Sequence, residues 1–406
     1  MVGADKGEPV TNRPQRITSK AGLGAASIAL LFAAVLGFAI ASTQSANAQT
    51  FTVLYKFNGS AGANPYGNVV LDGSGNIYST TANGGSFNKG VVFKLDSAGT
   101  ETVLHNFNGT RGSLPLAGLL RNTDGALFGT TWSGGSSGEG VVFKLSKSGA
   151  ETILHTFAGG TMDGASPWGG LIQDSDGNSY GTTNAGGTSN WGTVFKISKS
   201  GVETVLHSFN GGQSDGEFPY YTNLVRDSEG NLYGITSAGG GDNRGVVYKL
   251  NKSGKLTVLH SFLGGTNDGC TPYGTPVMDA DGNLYGTTYK CGSANEGVIW
   301  KLAKNGKETV LHNFTDGSSD GAYPYAGVIM DAKGNFYGDT AYGGSSNDGT
   351  VFELNNKGKL KVLHSFDGTD GASPIGGLIQ DSKGTLYGTA YAGSAGNYGT
   401  VWKLTP

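Results

Sequence analysis

One short stretch ending in phenylalanine recurs seven times at almost even spacing. It reads VLYKF to Phe57, VLHNF to Phe107, ILHTF to Phe157, VLHSF to Phe209, VLHSF to Phe262, VLHNF to Phe314 and VLHSF to Phe366. The steps between them are 50, 50, 52, 53, 52 and 52 residues. Two other landmarks keep the same beat. Y-G-T-T-like stretches centre on Tyr78, Phe128, Tyr180, Tyr233, Tyr285, Tyr337 and Tyr387, and V-F-K-L-like stretches begin at Val92, Val142, Val194, Val247, Ile299, Val351 and Val401. A period of this length points to a repeat architecture, so the unit has to be parsed first.

The third unit shows the parse. GGLIQDS is a short apolar run, SDGN a tight turn, NSYGTT a second run, and NAGGTSNWG a Gly-rich loop. GTVFKIS then alternates as a strand does, KSGVE turns the chain, and ETVLHSF is the fourth run. Four short strands per unit, rich in β-branched and aromatic residues and punctuated by Gly, Asn and Asp, follow. After residue 50 no stretch carries the i, i+3, i+4 apolar spacing of a helix. Repeated four-stranded units predict an all-β fold, a seven-bladed β-propeller, because radial packing buries both faces of every sheet. The repeats begin with a lone fourth strand, FTVLYKF, and end with a lone third strand, GTVWKLTP. The N-terminal strand 51–57 is therefore expected to complete the last blade and close the ring.

Composition narrows the class. Glycine accounts for 72 of 406 residues, far above the usual level of about 7%. It clusters between apolar runs without a G-X-Y period, which excludes collagen. Charged residues are 15%, the formal net charge is −3, and the repeats hold no Lys/Arg run. Nucleic-acid binding is not expected. Residues 1–48 differ in kind. Arg13, Arg16 and Lys20 precede an apolar run from Ala21 to Ile40, and Ala46-Asn47-Ala48 follows. That order is the charge, apolar core and small-residue site of a secretory signal. Pro14 and Gln15 separate the two arginines, so a Sec-type route is expected rather than a twin-arginine one. The expected division is a signal over 1–48, cleaved before Gln49, and a propeller over 49–406. The apolar run also approaches the ~20 residues that span a bilayer, so the segment is either removed or retained as a membrane anchor. Secretion or a place in the cell envelope is expected in both cases, with the chain a monomer.

The motif G-G-L-I-x-D-x-x-G-N-x-Y-G-T-T-x-x-G-G-x-x-x-x-G-x-V-F-K-L resembles the GloVer tandem repeat of bacterial "choice-of-anchor" envelope proteins. The resemblance covers residues 51–406. It implies an exported β-propeller and brings no reaction with it. A C-terminal anchor is not expected after the last repeat.

The long Gly-rich loops gather on one end of a propeller, called here the top, and function is expected on such loops. All six histidines, His105, His155, His207, His260, His312 and His364, fall in the L-H-x-F strand, with Tyr55 in the seventh place. That strand is outermost, so these histidines diverge and are read as structural; no metal and no cofactor are expected. D-x-D-G-N at Asp174 and Asp279 resembles a calcium loop but lacks the later Gly and Glu of an EF-hand, and is read as a hairpin turn. Five loops carry D-G-x-x-P, at Asp163, Asp215, Asp268, Asp320 and Asp370. The residue after each Pro opens the innermost strand at the channel mouth. There the repeats place Tyr66, Trp168, Tyr220, Tyr273 and Tyr325, with Leu116 and Ile375 in the two remaining blades; the next loop adds Trp132, Tyr289 and Tyr391. Aromatic faces suit the C–H face of a pyranose, and carboxylates accept its hydroxyl hydrogens. These thirteen aromatic and acidic residues form the candidate ligand ring, alongside the plainer reading that they only pack and cap.

Four arginines in the repeats (Arg111, Arg121, Arg226, Arg244) and no S-x-D-x-G-x-x-W box argue against a sialidase. No acidic residue is read as standing apart from the repeat. The expected function is therefore a non-catalytic binding or scaffold module with a glycan or protein ligand at the top face. The alternative is a carbohydrate-active enzyme, a polysaccharide lyase or glycosidase. Finally, Cys270 and Cys291 are the only cysteines and lie in two top loops of the fifth repeat; a disulfide is expected between them.

Overall fold

In a computed structural model, residues 49–406 are described; the signal or anchor expected over 1–48 lies outside them. Among the described residues the chain forms seven four-stranded antiparallel sheets and no α-helix. In blade 3 the strands, from the channel outward, are Ile172–Gln173, Ser179–Thr183, Thr193–Ile197 and Glu203–Ser208. The same order holds in the other blades. In blade 7, Ile379–Gln380, Leu386–Ala390 and Thr400–Thr405 are completed by Thr50–Lys56. Phe51 faces Leu404 and Val53 faces Trp402, so the expected closure is observed.

The core lies between blades. Each junction holds one buried apolar cluster drawn from both neighbours. Phe107 and Val92 of blade 1, for instance, meet Leu119, Leu127, Val141, Phe143 and Leu145 of blade 2. The recurring Phe of the outer strand is therefore a plug between blades, which explains its regular appearance. At the closing junction Phe57 and Val401 pack on Val69, Ile77 and Phe93 of blade 1. The Gly of Y-G-T-T is needed for the same reason: a Cβ on Gly286 would meet the Trp300 ring at 2.5 Å.

The D-x-x-G-N stretches form the bottom hairpins. Asp279 accepts backbone hydrogen bonds from Asp281 and Asn283 with one oxygen. Its other oxygen accepts the Asn283 amide and the Tyr285 hydroxyl. Both oxygens are committed to the turn, as the hairpin reading requires. On the top face the Cys270–Cys291 disulfide is formed, with Cα atoms 5.4 Å apart. It staples a two-residue ladder in which Gly269 faces Cys291 and Cys270 faces Lys290. The unbridged counterpart in blade 3 pairs Ala165 with Ala185.

Candidate functional site

The seven loops entering the inner strands share an unusual backbone. The residue before each Pro (Asn64, Leu114, Ser166, Phe218, Thr271, Tyr323, Ser373) has φ between 50° and 57°, a left-handed conformation that non-glycine residues seldom adopt. Each donates its N–H to a carbonyl of the preceding blade's loop, as Ser166 does to Glu139. The Pro ring then lies on a glycine of that blade, and a Cβ on Gly140 would sit 2.9 Å from Pro167 Cδ. This clamp turns the side chain after each Pro inward over the channel.

All eight expected aromatics meet there. Ring centroids are 5.5 Å apart for Tyr66–Tyr391, 5.9 Å for Trp132–Trp168, 4.2 Å for Trp168–Tyr220, 5.6 Å for Tyr220–Tyr273 and 4.8 Å for Tyr289–Tyr325. Beneath lies a cavity of about 320 Å³, roofed by Tyr66, Trp168, Tyr221 and Tyr325. Glycine backbone and apolar side chains such as Leu116, Ile375 and Leu378 line it, with Asn68, Asn223 and Thr275 as polar side chains and, among the described residues, no acid.

Tyr221 was not among the expected residues, yet it occupies the middle of the cluster. It touches Tyr66, Trp168, Tyr220, Tyr273 and Tyr325, and its hydroxyl bonds that of Tyr66. Its φ is 55°. The signal was present: the second residue after Pro is Gly or Ala in the six other repeats and Tyr only here. Burial raises the hydroxyl pKa of Tyr66, Tyr221 and Tyr325, and pushes that of Tyr273 up to about 12. All four therefore stay protonated donors at neutral pH.

A second residue breaks the repeat beside the same channel. At the strand position that holds Thr in five blades and Ile235 in blade 4, blade 6 holds Asp339, in Y-G-D-T. The usual Thr is a strut between blades. Thr80 donates to Ala117 O, Thr130 to Gly169 O and Thr287 to Ala326 O, all carbonyls of the next blade's channel wall. Asp339 stands in that position, 1% exposed, and neither carboxyl oxygen makes a hydrogen bond. Burial pushes its pKa up to about 8, only partly offset by the nearby backbone N–H groups of Gly377 and of Asp339 itself, which approach the carboxylate without meeting hydrogen-bond geometry. The expectation that no acid stands apart from the repeat is corrected by Asp339.

The five aspartates are not drawn into the aromatic cluster. Each turns outward to the histidine of the outer strand: Asp163 to His155, Asp215 to His207, Asp268 to His260, Asp320 to His312 and Asp370 to His364, at 2.8–3.4 Å. They also cap their loops, Asp163 accepting the N–H groups of Ala158 and Gly164. The candidate ring thus separates into an aromatic set at the mouth and a His–Asp set on the circumference. At one place the residues bring together a candidate metal-ligand set that the expectation of no metal did not foresee. His155, Asp163 and Glu203 bring one ligand atom each within 4.8 Å of one another. The diverging-histidine argument missed this because the third group comes from the next blade's outer strand.

The fold and this mouth define a closed seven-bladed β-propeller with an aromatic-roofed axial cavity. The chain belongs to the Gloeobacter/Verrucomicrobia repeat family, whose model matches residues 38–225 and 213–402. That family is associated with bacterial envelope proteins. No curated protein matches the chain in sequence. Among solved structures it is similar to a streptogramin B lyase, at 12% identity and TM-score 0.55 over 88% of this chain and 97% of that one. It is also similar to the extracellular domain of a hybrid two-component system from B. thetaiotaomicron, at 16% identity and TM-score 0.55 over 88% of this chain and 41% of that one. A structure from Bacteroides uniformis assigned as a 6-phosphogluconolactonase shares 15% identity at TM-score 0.50, over 77% of this chain and 89% of that one. These likenesses show the fold. Together with the His–Asp–Glu set they overturn the expected non-catalytic module. The fold houses a lyase and an assigned lactonase, and the chain carries a candidate histidine-based metal-ligand set that the sequence reading did not foresee.

Proposed function

We propose that the protein is an exported carbohydrate-active enzyme whose substrate docks on the aromatic face at the channel mouth. The observation that supports it is the contiguous aromatic roof built round Tyr221 over the axial cavity. Sequence repetition favours equivalent sites, whereas Tyr221 makes one site unlike any other in the ring. Rings at this spacing offer apolar faces to sugar C–H groups, and their hydroxyls offer protons. Two phenols sharing a hydrogen bond, Tyr66 and Tyr221, place a proton donor beside an acceptor, the arrangement that general acid–base chemistry needs. Among the described residues no carboxylate pair of the glycosidase kind lines the cavity. Elimination by a polysaccharide lyase, in which one phenol gives its proton to the leaving oxygen and takes up the sugar C–H proton in exchange, therefore fits better than hydrolysis. Asn68 and Asn223 are the amides available to a uronate carboxylate. Export is proposed through a Sec-type signal removed before Gln49, and the working form as a monomer.

The test is to incubate the purified protein with uronate-containing and neutral polysaccharides, following unsaturated products and new reducing ends. Unsaturated product that disappears in Tyr221→Gly, with the melting temperature retained, supports the reading. Reducing ends without unsaturation would shift it to a glycosidase. Binding of a polymer with no product from any of them would sink it.

A further inference from the structure

The seven blade junctions are seven versions of one circumferential site, and comparing them shows what each version requires. Three positions matter: the outer-strand His, the Asp of the loop that follows it, and the first residue of the next blade's outer strand. At three junctions the last position is apolar (Leu256, Leu360, Phe51), and one carboxylate meets one imidazole. Between blades 1 and 2 the last position is Glu151, but Arg111 replaces the Asp and bonds the Glu carboxylate. A carboxylate there is matched by a guanidinium. Between blades 7 and 1, Glu101 stands near Tyr55, and Ala61 replaces the Asp. Two junctions place two carboxylates on one imidazole: His155–Asp163–Glu203 and His260–Asp268–Glu308.

We infer that the junction between blades 2 and 3 is a divalent cation site, with His155 Nε2, Asp163 and Glu203 as its protein ligands. Among the described residues this is the set whose three ligand atoms lie within 4.8 Å of one another. His155 Nε2 is 3.2 Å from both Asp163 oxygens. Ligand atoms bonded to one ion at ~2.1 Å stand roughly 3–4 Å apart, so closure asks for about an ångström of side-chain movement. Glu203 Oε1 is buried and has no hydrogen-bond partner, as is also true of Glu101, Glu151 and Glu308 Oε1, so what sets this junction apart is the close approach of its three ligand atoms. A buried carboxylate oxygen without a partner is costly, and a cation between the three groups removes that cost. At the junction between blades 1 and 2 the Arg111 guanidinium offsets the Glu151 charge through Oε2, although Oε1 there has no hydrogen-bond partner. One imidazole and two carboxylates suit a borderline ion such as Zn²⁺ or Mn²⁺ rather than Ca²⁺, which takes oxygen ligands. His155 and Asp163 are 19% and 15% exposed, so water can fill the remaining coordination positions. The ion ties blade 2 to blade 3.

The site is tested on the full chain as purified, stripped by chelation and titrated with Zn²⁺ or Mn²⁺ by calorimetry, with the melting temperature followed in parallel. One ion per chain and a raised melting temperature are expected. Glu203→Leu copies the junctions at Leu256 and Leu360 and so keeps a known packing. Losing a partner beyond the ligands already costs 10–100-fold in metal affinity, so losing a ligand should cost at least about 100-fold. Asp163→Arg copies Arg111 and should abolish uptake while preserving the fold. Glu308→Leu should leave uptake unchanged. No uptake by the unaltered chain, unchanged affinity in Glu203→Leu, or loss in Glu308→Leu instead would each overturn the assignment.

Discussion

Replacing Asp339 by Thr should stabilise the protein, and by an amount that grows with pH. Asp339 is buried at the blade 6–7 junction with two unbonded carboxyl oxygens, and its pKa rises from 3.8 to about 8. The native state therefore holds this proton far more tightly than the unfolded chain does. A raised carboxyl pKa contributes stability that is fully present below the unfolded value and is lost as pH rises through the folded one. The window here runs from 3.8 to about 8, with a slope of about 1.4 kcal/mol per pH unit. Over the whole window the loss is on the order of 5 kcal/mol, large against the roughly 5–15 kcal/mol that holds a domain together. Thr at this position would donate its hydroxyl to the wall of blade 7, as Thr287 donates to Ala326 O of blade 6 at 2.8 Å.

The assay is urea unfolding of both proteins at a series of pH values, read as the difference between them so that other titrating groups cancel. From about pH 5 to pH 8 the advantage of Asp339→Thr should grow by about 4 kcal/mol. A pH-independent difference would show that Asp339 is ionised in the native state and would refute the reasoning. Asp339→Asn is the control, since it keeps the shape and removes the titration.

Deleting residues 49–57 removes the outer strand of blade 7 and the Phe57 plug, exposing a sheet edge; the melting temperature should fall far more than on trimming a free end, and an unchanged value would contradict ring closure. Thiol titration of the denatured, unreduced protein should find no free thiol, and Cys270→Ala with Cys291→Ala should cost roughly 3 kcal/mol for a 21-residue separation. Arg111→Ala leaves Glu151, 5% exposed on its side chain, without its cation; a loss of about 1–3 kcal/mol at neutral pH is expected from denaturant midpoints.

The period made the fold legible because each landmark is a packing requirement that recurs in all or all but one of the seven blades. Phe107 and its equivalents must fill a junction, the Gly of Y-G-T-T must clear an aromatic ring, and Asp279 must hold its turn. The aromatic mouth was legible for a related reason: the clamp before each Pro aims the next side chain at the axis. The histidine–aspartate pairs were not. Their partners lie six or eight residues apart across a loop, and no local pattern reveals that Asp163 turns back to His155 rather than inward. Still less does sequence show that Glu203, 48 residues beyond His155, comes from the next blade to meet them.

A repeat also hides what departs from it. Reading for the common pattern discounts Tyr221 as a variant of Gly and Asp339 as a variant of Thr. In three dimensions neither is neutral. Tyr221 fills the space that Gly or Ala leaves open and becomes the one ring touching five others. Asp339 replaces a satisfied hydroxyl by an unsatisfied carboxyl behind the same channel. Neither helps the ring to close, since six other blades manage without them. A sevenfold scaffold has no preferred blade, so a single reaction centre on it has to arise by breaking the symmetry. These two residues break it next to the axial cavity, where a substrate reaching the mouth would find one blade's tyrosine beneath it rather than the Gly or Ala of the other six.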